Sequence, residues 1–153
     1  MSTTETSLMN QQLDALLYEE TNLIANLANA SALIKTTDTG LNWAGFYLYN
    51  SETDQLDLGP FQGKVACMHI KGGAGVVGTA FDEQTSRRVA DVHQFPGHIA
   101  CDSASNSELV VPITKNGRKI GVLDLDSPDL DHFSAAAEAE MVEFVAILTQ
   151  HID

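Results

Sequence analysis

The sequence predicts an α+β domain in which helices at the two ends of the chain cover one face of a mainly antiparallel sheet, while the loops gather on the other face. Three observations lead to this class. Apolar residues recur at helical spacing near both ends, β-prone segments fill the middle, and turn-forming residues separate those segments. With 153 residues, 44% of them hydrophobic, the chain is expected to form one domain, 1–153, in which residues 1–8 are flexible.

The first element is an amphipathic helix expected from about Met9 to Ile34. Its apolar residues recur at spacings of three, four and seven, with one phase interrupted at Glu20. The polar segment KTTDTGLN follows, and Gly40 within it provides a helix stop and a turn.

Six strands are predicted after this helix. WAGFYLYN and QLDLGPFQG form a hairpin around the turn SETD, and VACMHI is a third strand. The glycine-rich KGGAGVVGTAF is expected to be a loop leading into a short helix, and SRRVADV a fourth strand. ELVVPI and KIGVLDLDS form a second hairpin around Asn116-Gly117. A final helix is expected from near Ser134, with Phe144 and Leu148 on its apolar face.

The charge balance argues against several classes of partner. The formal net charge of −13 would repel nucleic-acid phosphates and anionic lipid surfaces, so neither nucleic acid nor a membrane is expected as a partner. The first residues, MSTTETSLMNQQ, do not resemble a secretory signal. A cytoplasmic protein is therefore expected, where two cysteines are more often redox-active or catalytic than permanently bridged.

The segment 93–107 is a long polar connection that holds Cys101 near His98, Asp102 and Ser103. Loops of this length in compact domains are usually lids or binding loops. A cationic neighbour such as His98 would favour a reactive thiolate at Cys101. The alternative is that Cys101 is a small apolar residue packed beside its neighbours in the loop.

The second cysteine, Cys67, falls in the third predicted strand, where a buried, inert thiol is the simpler interpretation. It could still approach Cys101 if the loop returns to the same sheet. His93, His98 and Cys101 match no common zinc spacing, so no metal is expected.

Acidic residues alternate with apolar ones in the strand GVLDLDS. This period of two places Asp124 and Asp126 on one face of the sheet, opposite Leu123 and Leu125. Glu108, which opens the neighbouring strand, is a third candidate for that face. Such carboxylates would raise one another's pKa or bind a ligand's ammonium group; a solvated strand face is the alternative. Trp43 and Tyr47 open the first strand, as core aromatics unless a pocket lies there.

Taken together, NWAGFYLY, LGPFQGKVAC, GAGVVGTAF, DVHQFPGHIACDSASNSELVVPI and IGVLDLDS closely resemble the free methionine-(R)-sulfoxide reductases, which are built on a GAF domain. The resemblance runs from about Leu41 to Ser127 in the same order. It implies a GAF-like fold and reduction of free methionine-R-sulfoxide, with thioredoxin as the external reductant and no bound cofactor.

The resemblance also implies roles for individual residues. Cys101 would be the nucleophile and Cys67 the thiol that recycles it. The carboxyl groups of Glu108, Asp124 and Asp126 would contact the substrate, with Glu108 or Asp126 as proton donor. Trp43 and Tyr47 would help to form the pocket around the methyl group. Separately from the resemblance, backbone N–H groups of the glycine-rich segment, or of Asp102 and Ser103, are expected to hold the substrate carboxylate.

One position departs from the family pattern. The segment G-V-C-G-T usually carries a third cysteine, and this chain has Val77 there. A mechanism that requires that thiol is therefore excluded. Two other functions stay open: a GAF module that binds a small ligand without chemistry, and a thiol redox sensor. A homodimer formed through the terminal helices is also compatible with the sequence.

Overall fold

The computed structural model describes residues 6–99, 101 and 103–153. Asp102 and residues 1–5, the first part of the segment expected to be flexible, lie outside the described residues. The described chain runs through α1 (Leu8–Leu16), α2 (Leu23–Thr37), β1 (Trp43–Asn50), β2 (Gln55–Gly63), β3 (His69–Lys71), α3 (Gly75–Glu83), β4 (Arg87–Val89), β5 (Ser107–Lys115), β6 (Arg118–Ser127) and α4 (Ala135–Thr149).

The strands form one sheet in the order β3-β2-β1-β6-β5-β4, and every neighbouring pair is antiparallel. The α+β class and the antiparallel sheet predicted from the sequence are confirmed. In the centre, β1 pairs with β6, so the N-terminal hairpin is joined to the C-terminal one. None of the helices in the described parts of the chain has the length and apolar character needed to cross a bilayer.

The prediction of one helix from Met9 to Ile34 is wrong, because the segment forms two helices. α1 ends at Leu16, Glu19 adopts a left-handed backbone (φ 57°), and Asn22 starts α2 by accepting a hydrogen bond from the Ala25 amide. A residue with positive φ cannot continue a right-handed helix, so the pattern of helical hydrogen bonds is interrupted at this turn. The interrupted phase at Glu20 marked this break.

The two faces of the sheet carry different side chains, because successive residues of a strand point in opposite directions. Leu123 and Leu125 of β6 pack into the larger core, which is covered by α1, α2 and α4. Val122 packs into a smaller core on the opposite face, beneath α3. The expected placement of the terminal helices on one face is confirmed.

Local signals fixed the second hairpin and the last helix. Asn116 and Gly117 both have positive φ (52° and 78°), as a tight turn joining antiparallel strands requires. Ser134 caps α4 by accepting a hydrogen bond from the Ala137 amide at 3.1 Å.

The third strand is shorter than expected, and Cys67 does not belong to it. β3 begins at His69, and residues 64–68 form a loop that leaves the sheet edge. The carbonyls of Lys64 and Cys67 accept hydrogen bonds from side chains of β1. This loop is therefore held over the face of the sheet that α3 covers, and the prediction of a strand cysteine is wrong.

Candidate active site

A cavity lies between the sheet face beneath α3 and the two loops that carry the cysteines. Together with its open mouth it contains about 510 Å³ of empty space. β1, β5, β6, the start of α3 and both loops contribute its lining: Trp43, Tyr47, Ala66, Ile70, Ala74, Gly75, Val76, Val77, His98, Ile99, Cys101, Ser105, Glu108, Asp124 and Asp126.

Strand register brings the key polar residues together on the cavity floor. Asp126 of β6 lies opposite Trp43 of β1 on one side and opposite Glu108 of β5 on the other. Asp124 lies two residues before Asp126 on the same face of the sheet and is paired with Gly45 of β1. A Cβ atom at Gly45 would lie 2.9 Å from the Trp43 ring and closer still to Phe61, so only glycine allows the ring to lie there.

The three carboxyl groups form a compact acidic cluster. Oxygens of Glu108, Asp124 and Asp126 all lie within 4.8 Å of one another. Glu108 and Asp124 are almost fully buried, with 7% and 5% of their surfaces exposed. Burial, followed by the charges of Asp124 and Asp126, holds the pKa of Glu108 well above its ordinary value. Burial likewise raises the pKa of Asp124 to about 6, opposed by its hydrogen bond with Glu108.

These shifts define what the cluster can do chemically. Because Glu108 bonds to both aspartates, and a hydrogen bond between two carboxyl groups needs a proton, Glu108 is suited to hold that proton near neutral pH. Asp124 Oδ1 is buried without a hydrogen-bond partner, which leaves it as an acceptor for a donor in the cavity. The three oxygens could accept an ammonium group or contribute three ligands to a metal ion.

The two cysteines are joined across the mouth of this cavity. Cys67 and Cys101 form a disulfide with their Cα atoms 5.3 Å apart, well inside the roughly 7 Å limit for such a bond. Cys101 lines the cavity, whereas Cys67 belongs to the loop above it. The two cysteines are therefore close enough to form this disulfide without refolding of the sheet.

Two aromatic residues of β1 connect the cavity floor to the Cys67 loop. Trp43 Nε1 donates to the Lys64 carbonyl at 3.1 Å, and the Tyr47 hydroxyl donates to the Cys67 carbonyl at 3.0 Å. Burial raises the pKa of Tyr47, and the charges of the nearby carboxylates raise it further, so its hydroxyl keeps the proton that it donates. The Trp43 ring stacks on those of both Tyr47 and Phe61, and the three rings form one aromatic wall.

Two predicted substrate-binding residues, Asp102 and Ser103, are not among the described residues that line the cavity. Asp102 is outside the described residues, and Ser103 is exposed and absent from the cavity lining. Ser105, which the sequence analysis missed, is buried in the lining and accepts a hydrogen bond from the Asn42 amide at 3.1 Å. The repeated serines of SASNS gave no signal to distinguish them.

Two further lining residues bear on the chemistry. His98 lies three residues before Cys101, and burial together with the nearby His93 lowers its pKa; its ring is thus more often neutral than an ordinary histidine. Val77 is buried in the wall at the start of α3. Its isopropyl group occupies the position where the family pattern has a thiol.

Comparisons with known proteins agree with this geometry. Residues 12–152 match the GAF domain family. The free methionine-R-sulfoxide reductase of Escherichia coli is 49% identical, over 92% of this chain and 84% of its own length. The structure of the free methionine-R-sulfoxide reductase from Neisseria meningitidis in complex with its substrate has a TM-score of 0.91 and 40% identity, over 99% of this chain and 92% of that one.

A reduced form of the same kind of enzyme from Staphylococcus aureus is also similar. Its TM-score is 0.91 and its identity 45%, over 99% of both chains. Identity at this level over nearly the whole length shows the family and not the fold alone. The chain therefore belongs to the GAF-domain family and, within it, to the free methionine-R-sulfoxide reductases.

Proposed function

We propose that this chain reduces free methionine-R-sulfoxide to methionine, with Cys101 as the nucleophile. The observation that carries the proposal is the cavity itself, which brings Cys101 and the cluster of Glu108, Asp124 and Asp126 into one enclosed space. A thiol and a protonated carboxyl group are the two groups that removal of a sulfoxide oxygen requires.

The carboxylates of the cluster bind the substrate's ammonium group. Asp124 Oδ1 supplies a buried acceptor without a protein partner, and Asp126 lies beside it on the same strand face. A methionine sulfoxide inside a peptide has an amide in place of the ammonium, so it would leave these acceptors unpaired. The site is therefore expected to select the free amino acid.

The aromatic wall accepts the substrate's methyl end. Trp43 and Tyr47 lie at the cavity floor next to the acidic cluster, and their rings present an apolar surface to the S-methyl group. Ser103 and Asp102 stay proposed as residues near the substrate carboxylate. Ser105 adds a buried residue with a hydroxyl group to the cavity lining.

The first chemical step transfers the oxygen from the substrate to the enzyme. The Cys101 thiolate attacks the sulfoxide sulfur, and Glu108 gives its proton to the oxygen. The oxygen passes to Cys101, which becomes a sulfenic acid, while the substrate sulfur gains two electrons and methionine leaves. The raised pKa of Glu108 keeps this proton on the carboxyl group to a higher pH than in an ordinary glutamate.

The second step closes the bridge that the structure contains. Cys67 loses its thiol proton and attacks the sulfenic sulfur of Cys101; the sulfur–oxygen bond breaks, the hydroxyl takes up one proton and leaves as water, and the disulfide forms. An external dithiol, proposed to be thioredoxin, returns two electrons and restores both thiols. No bound cofactor enters this cycle, and a bridge that is repeatedly reduced fits the cytoplasm.

Turnover with matched substrates tests the proposal. With thioredoxin as reductant, free methionine-R-sulfoxide is expected to be reduced, whereas the S-epimer and an N-acetylated, peptide-like analogue are not. Cys101→Ser should abolish methionine formation. Cys67→Ser should release one methionine per chain and then recycle poorly. Ligand binding without turnover in the unmodified protein would instead favour a non-catalytic GAF module, and bridge formation that only alters a partner's affinity would favour a redox sensor.

We also propose a homodimer formed through the N-terminal helices. Leu8, Leu16, Tyr18 and Ile24, on α1, α2 and the turn between them, expose large apolar side chains, which are common at protein contacts. Sedimentation equilibrium of the protein should give twice the chain mass, and Leu8→Gln with Ile24→Gln should reduce it to one. A single-chain mass for the unmodified protein would contradict the dimer.

A further inference from the structure

The loop that carries Cys67 exposes apolar side chains next to the disulfide. Val65 is 88% exposed and Met68 is 71% exposed. Ile99, two residues before Cys101, is also exposed. These three side chains flank the two bridged cysteines, each within two residues of one of them, and we call them the apolar lip. Large side chains left in water at a reactive bond are typical of a contact surface.

The segment that contains this loop and β3 differs in charge from the rest of the molecule. Between residues 64 and 74, KVACMHIKGGA contains no acidic residue, and Lys64 and Lys71 are both exposed. The whole chain has only eight basic residues against 21 acidic ones. Lys64, three residues before Cys67, and Lys71, four residues after it, therefore add positive charge on the Cys67 side of the disulfide in an otherwise acidic protein, which favours a partner with a negative rim.

We infer that the apolar lip, together with Lys64 and Lys71, is the docking surface for a small dithiol protein of the thioredoxin type. The inference rests on the proposed function in one respect: the bridge is an intermediate that an external dithiol must reopen. A protein that exchanges thiols has to place its sulfur on the bridge, so its surface must cover the residues on either side of Cys67.

The location of the two cysteines favours attack by the partner on Cys67. Cys101 lines the cavity, whereas Cys67 lies in the outer loop between Val65 and Met68. The partner's thiolate bonds to Cys67 Sγ, the Cys67–Cys101 bond breaks, and Cys101 leaves as a thiolate facing the cavity. The partner's second thiolate then attacks the mixed disulfide, releases Cys67, and carries the new disulfide away.

Reduction of the purified disulfide form, without any sulfoxide, tests the surface directly. The double variant Val65→Thr/Met68→Gln is mixed with a purified thioredoxin, and the rate of reduction is followed by stopped flow. The rate constant should fall about tenfold, as expected for the loss of central apolar contacts. Reduction of the same variant by dithiothreitol, which is too small to need the lip, should keep its normal rate.

A matched control replaces apolar residues of similar exposure elsewhere. Leu130→Gln/Val142→Thr alters side chains that are 62% and 45% exposed, on the last loop and on α4, and should leave both rates unchanged. Lys64→Glu should slow thioredoxin alone. An unchanged thioredoxin rate in Val65→Thr/Met68→Gln would overturn the inference, and so would an equal loss with dithiothreitol or a bridge that only small thiols reduce.

The point of attack is tested with a thioredoxin whose second active-site cysteine is replaced by serine. This variant should become trapped in a mixed disulfide with Cys67, which peptide mapping identifies. A link to Cys101 would overturn the assignment. Because neither experiment uses methionine sulfoxide, failure of the proposed reductase activity would be seen separately, in the turnover assay.

Discussion

The two faces of the sheet are built from the same strands, but one face forms an apolar core and the other carries an acidic cavity. Beneath α1, α2 and α4, the inward residues of β5 and β6 are leucine, isoleucine and valine, packed against Phe144 and Leu148. On the other face, neighbouring positions of those strands carry Glu108, Asp124 and Asp126. One residue step along β6, from Leu125 to Asp126, separates the core from the site.

The two faces contribute to the free energy of folding with opposite signs. The helix-covered face gains free energy by burying apolar surface. The cavity face buries two carboxyl groups: desolvation raises the pKa of both, and the charges of Asp124 and Asp126 raise that of Glu108 further. Burying these groups costs free energy. Mutations on one face should therefore affect folding, and mutations on the other should affect chemistry.

The largest expected effect is on the cavity face. Glu108→Gln removes the proposed proton donor, and turnover should fall by about 10²- to 10⁴-fold, the usual contribution of general acid catalysis. The melting temperature should hold or rise, since a neutral amide replaces a buried acid. Steady-state kinetics and calorimetry check both results, with exposed Glu52→Gln as the control. Full turnover in Glu108→Gln would move the donor role to Asp126.

The reverse pattern is expected for the helix-covered face. Phe144→Ala empties a fully buried position and should lower the free energy of unfolding by about 3–5 kcal/mol. The KM of the molecules that remain folded should stay the same. Urea denaturation measures the first quantity and initial rates the second. Val142→Ala, on the exposed side of the same helix, should alter neither.

The pH dependence of stability separates the faces more finely. Because the folded state holds protons on Glu108 and Asp124 that the unfolded chain releases, these groups stabilise the protein at low pH. That contribution is lost as pH rises from about 4, the unfolded pKa of an aspartate, through the folded pKa of Asp124, about 6.

Both proteins are compared in the oxidised form. When the pH is raised from about 5 to about 8, the free energy of unfolding of Asp124→Asn should therefore decrease less than that of the unmodified chain. Thermal unfolding at the two pH values measures the change, and Glu52→Gln should follow the unmodified protein. Identical pH profiles for Asp124→Asn and the unmodified chain would show that Asp124 is not protonated in the folded state.

The smallest effect is expected at the start of α3. Val77→Cys restores the family's third thiol in a buried wall position, and the smaller side chain should cost about 0.5–1.5 kcal/mol, as other small core truncations do. Recycling by thioredoxin should not become faster, because Cys67 already closes the bridge. A faster steady state in Val77→Cys would show that the missing thiol limits the cycle.

The sequence predicted the parts of this molecule that depend on local periodicity. Alternation in GVLDLDS placed Asp124 and Asp126 together because a strand has a period of two, and Asn116-Gly117 fixed the turn of the second hairpin. The break between α1 and α2 was missed because apolar spacing continues across it, through Leu17, which is buried outside both helices.

Contacts between distant segments could not be obtained in the same way. The position of Cys67 depends on hydrogen bonds from Tyr47, 20 residues before it, and from Trp43, 21 residues before its partner Lys64. Nothing in VACMHI indicates them. Ser105 joined the cavity because the loop folds back on Asn42. The family resemblance, and not the local pattern, predicted Cys101 as the nucleophile and Cys67 as the thiol that recycles it.

The aromatic floor has an optical consequence. Trp43 is the chain's only tryptophan, and its indole nitrogen donates a hydrogen bond to the loop that carries Cys67, one half of the disulfide. All of the intrinsic tryptophan emission therefore originates at the cavity wall, in contact with that loop. In the proposed cycle this bridge opens and closes, so the protein contains its own fluorophore for following each oxidation and reduction, with no label attached.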